Sequence, residues 1–293
     1  MNPMISDQNL TTANNWIKSR FSKRECICIC PTSKDSNKCA CGRFLASHYY
    51  FEEELEGDHE NPNLRWTIGK CTGAYPTEEY GTLAFQGVHG PNKSHFVRLD
   101  FTTEPADIYR LLVDVWGFEP PKLIITVHGG TNNFELPHNL AKALRKGLLK
   151  AAKTTNAWII TSGIRMGVVR HVVASLTETI ADRKQKFTLI GIAPWGALRR
   201  GEDLLNSRGA TVAYYLQSAG VNSHNSSMPN ATGGSVVTGV TGRHSVANGL
   251  AQGGVAASDR RGRLVTLCEN HSCFLLVDNG TVGRSGCEMF LRR

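Results

Sequence analysis

No run of about 18 apolar residues occurs in this 293-residue sequence, so nothing in it reads as a membrane-spanning helix. The opening residues, MNPMISDQNLTTANNW, lack the basic and apolar regions of a secretory leader, which makes the cytosol the expected compartment. Phosphate-binding and catalytic signatures are missing too. There is no Walker loop, no complete G-x-G-x-x-G and no H-E-x-x-H, and neither Ser162 nor Ser285 sits in G-x-S-x-G. No catalytic constellation is left, and the chain is not expected to be an enzyme. RNA- and DNA-binding signatures are also absent, so nucleic acid is not an expected partner. The net charge of +8 favours other anions: nucleotides, anionic lipid or an acidic subunit face. Aromatic residues vanish between 218 and 262, a Gly/Ser/Asn/Ala-rich stretch that reads as a disordered, low-complexity insertion.

What remains is ordinary in composition for a globular chain, with 41% hydrophobic and 20% charged residues. Residues 1–14 read as a disordered tail, and 15–79 as a cysteine-rich segment ending in an acidic stretch (Glu52 to Glu60) expected to be a solvated loop. Residues 80–293 read as an α/β domain carrying the insertion. Two alternating strands lie within 81–88 and 94–101. After Pro105, Ile108, Leu111, Leu112 and Val115 recur at helical spacing.

From Lys122 to Val169 the order is strand (123–127), glycine loop, helix (about 137–153), strand (157–161), second glycine loop, helix (about 166–181). Further buried strands follow at 187–196 and at 274–277. Strands alternating with helices predict a parallel, doubly wound, Rossmann-like sheet. No helix follows the last strand, so the sheet is expected to be C-terminally incomplete, its last strand uncovered.

In such a sheet, ligands bind at the carboxyl ends of the strands. Three small-residue loops are expected there: His128 to Phe134, with Gly129, Gly130, Thr131 and Asn132; Thr161 to Gly167, with Ser162, Gly163 and Arg165; and Asp278 to Gly286, with Gly280 and Thr281. Glycine lets backbone approach a phosphate, and an arginine can meet it as a planar fork. Each of the first two loops reads equally well as a plain turn; with the third, they point to a nucleotide-like pocket. On the intervening helix, Lys142, Arg145, Lys146, Lys150 and Lys153 form an acid-free stripe, either a solvated face or a surface for anionic lipid or a partner.

Five of the nine cysteines crowd into residues 26–41. Cys26, Cys28, Cys39, Cys41 and His48 are the candidate metal ligands, and a strand over 26–30 would point its thiols to one face. The C-x-C spacings depart from the C-x2–4-C knuckles of zinc sites, so reduced thiols are expected in preference to zinc.

Several motifs carry a family resemblance: Lys23-Arg24-Glu25-Cys26, Cys39-x-Cys41-Gly42-Arg43, WIIT (158–161), IGIAPWG (190–196) and LVDNGTVG (276–283). Together they resemble the N-terminal region of melastatin-type transient receptor potential (TRPM) cation channels, over nearly all of 15–293 except the insertion. The IGIAPWG and DNGTVG stretches look most like the branch that includes the kinase-tailed members. The resemblance implies a Rossmann-like fold of the SLOG superfamily and a cytosolic sensing and assembly region of a calcium-permeable, homotetrameric plasma-membrane channel. It also implies an ADP-ribose-like nucleotide as ligand in some members. The fragment itself lacks a pore. Two features depart from nucleotide-binding relatives. Ser162 stands where a glycine is common, and the glycine-rich, glutamate-containing motif of the superfamily is missing. The alternative reading, a SLOG-type nucleotide-binding or nucleotide-hydrolysing enzyme, would need that motif.

Overall fold

The structure, a computed structural model, describes residues 7–48, 65–87, 93–130, 132–180, 187–216 and 264–292; within 7–10 and 177–180 only the backbone is described. The acidic loop at 52–60, the insertion at 218–262 and Thr131 lie outside the described residues.

The described residues are organised around one seven-stranded sheet. Its members are β5 (Tyr80–Gln86), β6 (Lys93–Asp100), β7 (Ile124–Thr126), β8 (Trp158–Thr161), β9 (Thr188–Pro194), β10 (Thr211–Tyr215) and β11 (Cys273–Asp278). The order across it is β10-β5-β6-β11-β9-β8-β7. From β6 to β7 every neighbouring pair is parallel, while β5 runs antiparallel to β6 and parallel to β10. The sheet is therefore mostly parallel, the Rossmann-like arrangement expected from the strand–helix alternation. Strand β7 is three residues long and forms one edge, with Leu123 and Ile124 exposed.

The alternation of side chains across the pleat explains how both faces are buried. Leu275 and Val277 of β11 point with Ile190 and Ile192 of β9 into one core layer. Helix α1 (Asp7–Arg20) covers that layer with Ile17, followed by Phe21, and Leu111 and Leu112 add to it. These leucines sit in a π turn, Leu111–Val115, that continues α3 (Pro105–Arg110). Phe274 and Leu276 face the opposite layer with Phe96, Trp195 and Tyr214. On that side α4 (His138–Thr155) and α5 (Val168–Ile180) pack Leu148, Ala152, Val169, Val172 and Leu176 on Ile159 and Leu189.

Two expectations are corrected here. Residues 7–14 are helical rather than a frayed tail, because docking Ile17 and Phe21 into the core rewards a helix that its polar sequence does not announce. Strand β11 is not uncovered: it is the centre of the sheet, and all six of its residues are buried. Most of its cover comes from elements earlier in the chain, and Cys287 and Leu291 add to it from just after the strand.

The cysteine-rich segment adds two small ribbons. Strand β1 (Ser22–Cys26) pairs antiparallel with β4 (Thr72–Pro76), which follows the one-turn helix α2 (Ile68–Cys71). Strands β2 (Pro31–Thr32) and β3 (Asp35–Cys39) form a short hairpin. The expected strand over 26–30 ends at Cys26, so Cys26, Cys28 and Cys30 do not share a strand face.

Candidate functional site

The first two glycine loops meet at the carboxyl edge of the parallel strands. Gly167 closes the second loop at φ +55° and donates its N–H to Asn133 Oδ1 of the first loop at 3.0 Å. A methyl group at Gly167 would collide with the Gly130 carbonyl oxygen, so glycine is required for this approach. Gly129, Gly130 and Ser162 line a cleft of about 270 Å³ whose far wall carries Ser285, Glu288 and Arg292. Two larger recesses, of about 550 and 680 Å³, lie elsewhere and touch none of Gly129, Gly130 or Ser162.

Other expected residues fall outside this cleft. Gly163, at φ +66°, is buried, and a Cβ there would stand 2.9 Å from Gly191 Cα, so this glycine serves strand packing. Asn132 is exposed and does not line the cleft. The exposed Arg165 turns to Glu269 Oε1 at 3.5 Å. Gly280 and Thr281 are also corrected as pocket residues. They are buried, and their loop is spent on internal bonds: Gly280 N–H to Asp278 Oδ1 at 2.9 Å, Val282 N–H to the Cys41 carbonyl at 2.8 Å and Gly283 N–H to the Gly196 carbonyl at 2.7 Å. The cysteine-rich segment occupies the space that a ligand at the third loop would need.

The polar groups around the cleft are largely committed. Arg292 donates through Nη2 to the Ile192 carbonyl at 2.6 Å and lies 3.6 Å from Glu288 Oε1; burial holds its pKa below the ordinary value. Glu288 Oε2 accepts the Gly286 N–H at 2.6 Å. Behind the second loop, Thr161 Oγ1 accepts the Gly163 N–H at 2.9 Å and pairs with His271 Nε2 at 2.8 Å. The other ring nitrogen of His271 reaches the Cys268 carbonyl at 2.8 Å. Burial pushes the His271 pKa down to about 4, so the ring is neutral and fixes the strand end as a hydrogen-bonded post.

Sequence reasoning missed a buried ion network at the same end of the sheet. Arg98, fully buried on β6, meets Asp278 Oδ2 at 2.7 Å, Glu25 Oε1 at 2.9 Å and Glu79 Oε2 at 3.4 Å, and stacks its guanidinium over Trp195 at 4.5 Å. Burial alone would lower its pKa, but the three carboxylates outweigh it and hold the pKa above the ordinary value. Arg24 bonds Asp100 at 2.7 Å, Arg43 bonds Glu25 at 2.9 Å and Lys23 bonds Glu79 at 3.0 Å. Thus Arg98 ties β1, the approach to β5 and β11 together. One signal was available: an arginine set among Phe96, Val97 and Leu99 in a strand expected to be buried needs buried acids.

The cysteine-rich segment forms a second cluster. Cys26, Cys39, Cys41 and His48 are all buried and place their ligand atoms within 4.8 Å of one another. Cys28 is left out; its thiol turns to the Lys70 carbonyl at 3.6 Å, and burial beside Cys71 pushes its pKa up to about 12. Within the cluster, hydrogen bonds from Cys26 and Cys41 hold the Cys39 thiol far below the usual range.

The family model described as "SLOG in TRPM" matches residues 94–235 and 243–293. The chain is 36% identical, over 99% of its length, to a transient receptor potential channel of Caenorhabditis elegans, of which it covers 14%. It is 38% identical over 95% of its length to the transient receptor potential cation channel trpm of Drosophila melanogaster, covering 12% of it. Human transient receptor potential cation channel subfamily M member 7 is 35% identical over 95% of the chain, which covers 14% of that protein. The sequence therefore corresponds to a small part of each of these channels.

Proposed function

Because the chain belongs to the family of SLOG domains in TRPM channels, we propose that it is a cytosolic sensing and assembly region of a calcium-permeable TRPM-type cation channel that forms homotetramers in the plasma membrane. The observation that carries the reading is the match of almost the whole chain to 12–15% of each channel's length. No helix among the described residues is long and apolar enough to cross a membrane. In this reading, conduction belongs to other segments of a longer protein.

Sensing is assigned to the cleft at Gly129, Gly130 and Ser162. An ADP-ribose-like nucleotide fits it only in part. Its 270 Å³ lies below the roughly 300–1,000 Å³ of drug-sized sites. Arg292 and Arg165 are engaged with protein partners. The residues present suit a phosphate or sugar-phosphate portion, held by glycine backbone and the hydroxyls of Ser162 and Ser285. Assembly is assigned to the edge strand β7, where Leu123 and Ile124 are exposed, next in sequence to α4 with its exposed Lys142, Lys146, Lys150 and Lys153.

The test is twofold. Titration calorimetry with ADP-ribose and with ribose 5-phosphate is expected to give binding that Gly130→Val abolishes; no heat with either ligand overturns the sensing role. Co-expressed with a full-length channel of the family, the chain is expected to co-purify with it, and Ile124→Lys to weaken that association. Failure of the wild-type chain to co-purify overturns the assembly role.

A further inference from the structure

We propose that Cys26, Cys39, Cys41 and His48 form a closed structural site for one Zn²⁺ ion, bound by three thiolates and one imidazole, and that this ion fastens the cysteine-rich segment to the end of the central strand. The argument begins with distance. Tetrahedral zinc with Zn–S near 2.3 Å and Zn–N near 2.0–2.1 Å separates two sulfurs by about 3.8 Å and a sulfur from a nitrogen by about 3.6 Å. Cys26 Sγ and Cys39 Sγ are 3.9 Å apart, and Cys41 Sγ is 3.3 Å from His48 Nε2. A disulfide would need about 2.05 Å, and all nine cysteines are free thiols.

The surroundings match the requirements of thiolate and imidazole ligands. His48 Nδ1 lies 3.0 Å from the Phe44 carbonyl and 3.3 Å from that of Leu45. A carbonyl accepts only, so Nδ1 carries the proton and Nε2 presents its lone pair toward the sulfurs, the orientation that backbone carbonyls impose on metal-bound histidines. N–H donors point at all three sulfurs: Trp66 Nε1 at Cys26 (3.5 Å), the Cys30 amide at Cys39 (3.4 Å) and the Arg43 amide at Cys41 (3.5 Å). Such donors stabilise thiolate charge. Three sulfurs and one imidazole in a compact closed set suit Zn²⁺, a borderline-soft ion with no geometric demand of its own, better than calcium or magnesium, which want oxygen. Binding replaces up to three thiol protons, which pass to solvent, while His48 contributes a lone pair and loses none.

The segment also has reason to need an ion. Around β2 and β3 the apolar cluster consists of Cys26, Cys39 and Cys41, with Leu45 and Trp66 packed on it. A unit this small does not bury enough surface to hold itself together, a deficit that metals commonly make up. The ligands come from the end of β1, the end of β3, the tight turn after it and the residue that caps the 3-10 turn Leu45–Ser47, so one ion would join four pieces of chain. The spacing objection to zinc does not apply, since the pairing is made by the fold and not by a local knuckle. The ligand turn then grips the third glycine loop. The Cys41 carbonyl takes the Val282 N–H, a side chain at Gly42 would collide with the Val282 carbonyl, and the Ala40 carbonyl accepts Arg284 Nη2 at 2.8 Å.

The test is metal analysis of the whole chain, purified without chelator from zinc-supplemented cells. About one equivalent of zinc is expected, falling to under about a tenth in Cys41→Ser and in His48→Ala, while Cys28→Ser and Cys30→Ser keep it. Co²⁺ added to the apo protein should give the intense visible bands of tetrahedral coordination and thiolate charge transfer, bleached by equimolar Zn²⁺; this readout uses the wild-type chain and does not depend on a variant folding. Removal of the ion should open the 26–48 segment to limited proteolysis. Less than about half an equivalent of zinc together with no cobalt bands, a Cys26–Cys39 disulfide in protein kept under reductant, or full zinc retention in Cys41→Ser would each overturn the proposal.

Discussion

Replacing Arg98 with methionine keeps an unbranched apolar stem and removes the guanidinium with its charge. The guanidinium is wholly buried, and the side chains it would abandon are 8% exposed at Glu25 and 1% at both Glu79 and Asp278. Removing one member of a buried ionic group typically costs about 3–5 kcal/mol, because the carboxylates stay desolvated with fewer partners. Loss of the stacking on Trp195 acts in the same direction. Lys23 and Arg43 still reach Glu79 and Glu25, so the lower half of that range is the better figure, about 3–4 kcal/mol. Urea unfolding is the assay. With a slope of about 3 kcal/mol/M for a domain of this size, the midpoint should fall by roughly 1 M or slightly more. Glu79→Gln in the Arg98→Met background should cost less than it does alone, because it then relieves an ill-paired acid; the double-mutant cycle should give a coupling above about 1 kcal/mol. As a control, Arg208→Met, which breaks the pair of the exposed Arg208 with Glu78, should change stability by under about 1 kcal/mol. An Arg98→Met midpoint within about 0.3 M of wild type, or strict additivity with Glu79→Gln, would refute the view that Arg98 holds the central strand to β1.

The His271 post makes stability depend on pH. Its ring titrates near 6.5 when unfolded and about 4 when folded, so the unfolded chain binds the extra proton and stability rises with pH across that window, by about 3 kcal/mol in total. Denaturant midpoints of wild type between pH 4 and 7 should show this rise, and a His271→Gln chain with an equally steep profile would exclude His271 as its source. Gly163→Ala should lower stability by about 2–4 kcal/mol, because it forces an L-residue to φ +66° and places a methyl group 2.9 Å from Gly191 Cα. An unchanged thermal midpoint would contradict the packing role assigned to Gly163.

The sheet was legible where apolar strand runs alternate with helical spacing. Strands β7, β8, β9 and β11 and helices α4 and α5 stand within a few residues of their expected positions, because long apolar runs and helical spacing leave few alternatives. Helix α1 was illegible, because DQNLTTANNWIKSR has little apolar periodicity and its support is tertiary, through Ile17. Strand β10 is a short edge strand whose pairing to β5, Thr211 opposite Thr82, spans a long stretch of chain. At the site, the first two loops were legible because each follows directly from an apolar run of sequence, the edge strand β7 for the first and the buried strand β8 for the second. The third misled because glycine is needed for close approach of protein as well as of ligand: a Cβ at Gly280 would lie 2.7 Å from Thr72 Cγ2. Cys26, Cys39, Cys41 and His48 were named from sequence, but their grouping, and the exclusion of Cys28, depend on where β1 ends.

The central strand explains why the third loop reaches the cleft only at Ser285. At its carboxyl end, Asp278 is held by Arg98 and by the Arg24 N–H at 3.1 Å. The residues just beyond it are held by Cys41 and Gly196. Both sets of bonds come partly from the cysteine-rich segment, so that segment stands where the third loop would meet a ligand. The end of this anchored loop and the residues just after it supply Ser285, Glu288 and Arg292 to the cleft. Arg292 then returns to the Ile192 carbonyl on the neighbouring strand β9. The far wall of the cleft is thus suspended between two fixed points, the thiol–imidazole cluster at one end and β9 at the other. A change that frees Val282 from Cys41 would loosen one of those points, and the position of Glu288 against Gly129 and Gly130 with it. Whatever enters the cleft therefore meets a wall whose rigidity is set by the order of the cysteine-rich segment.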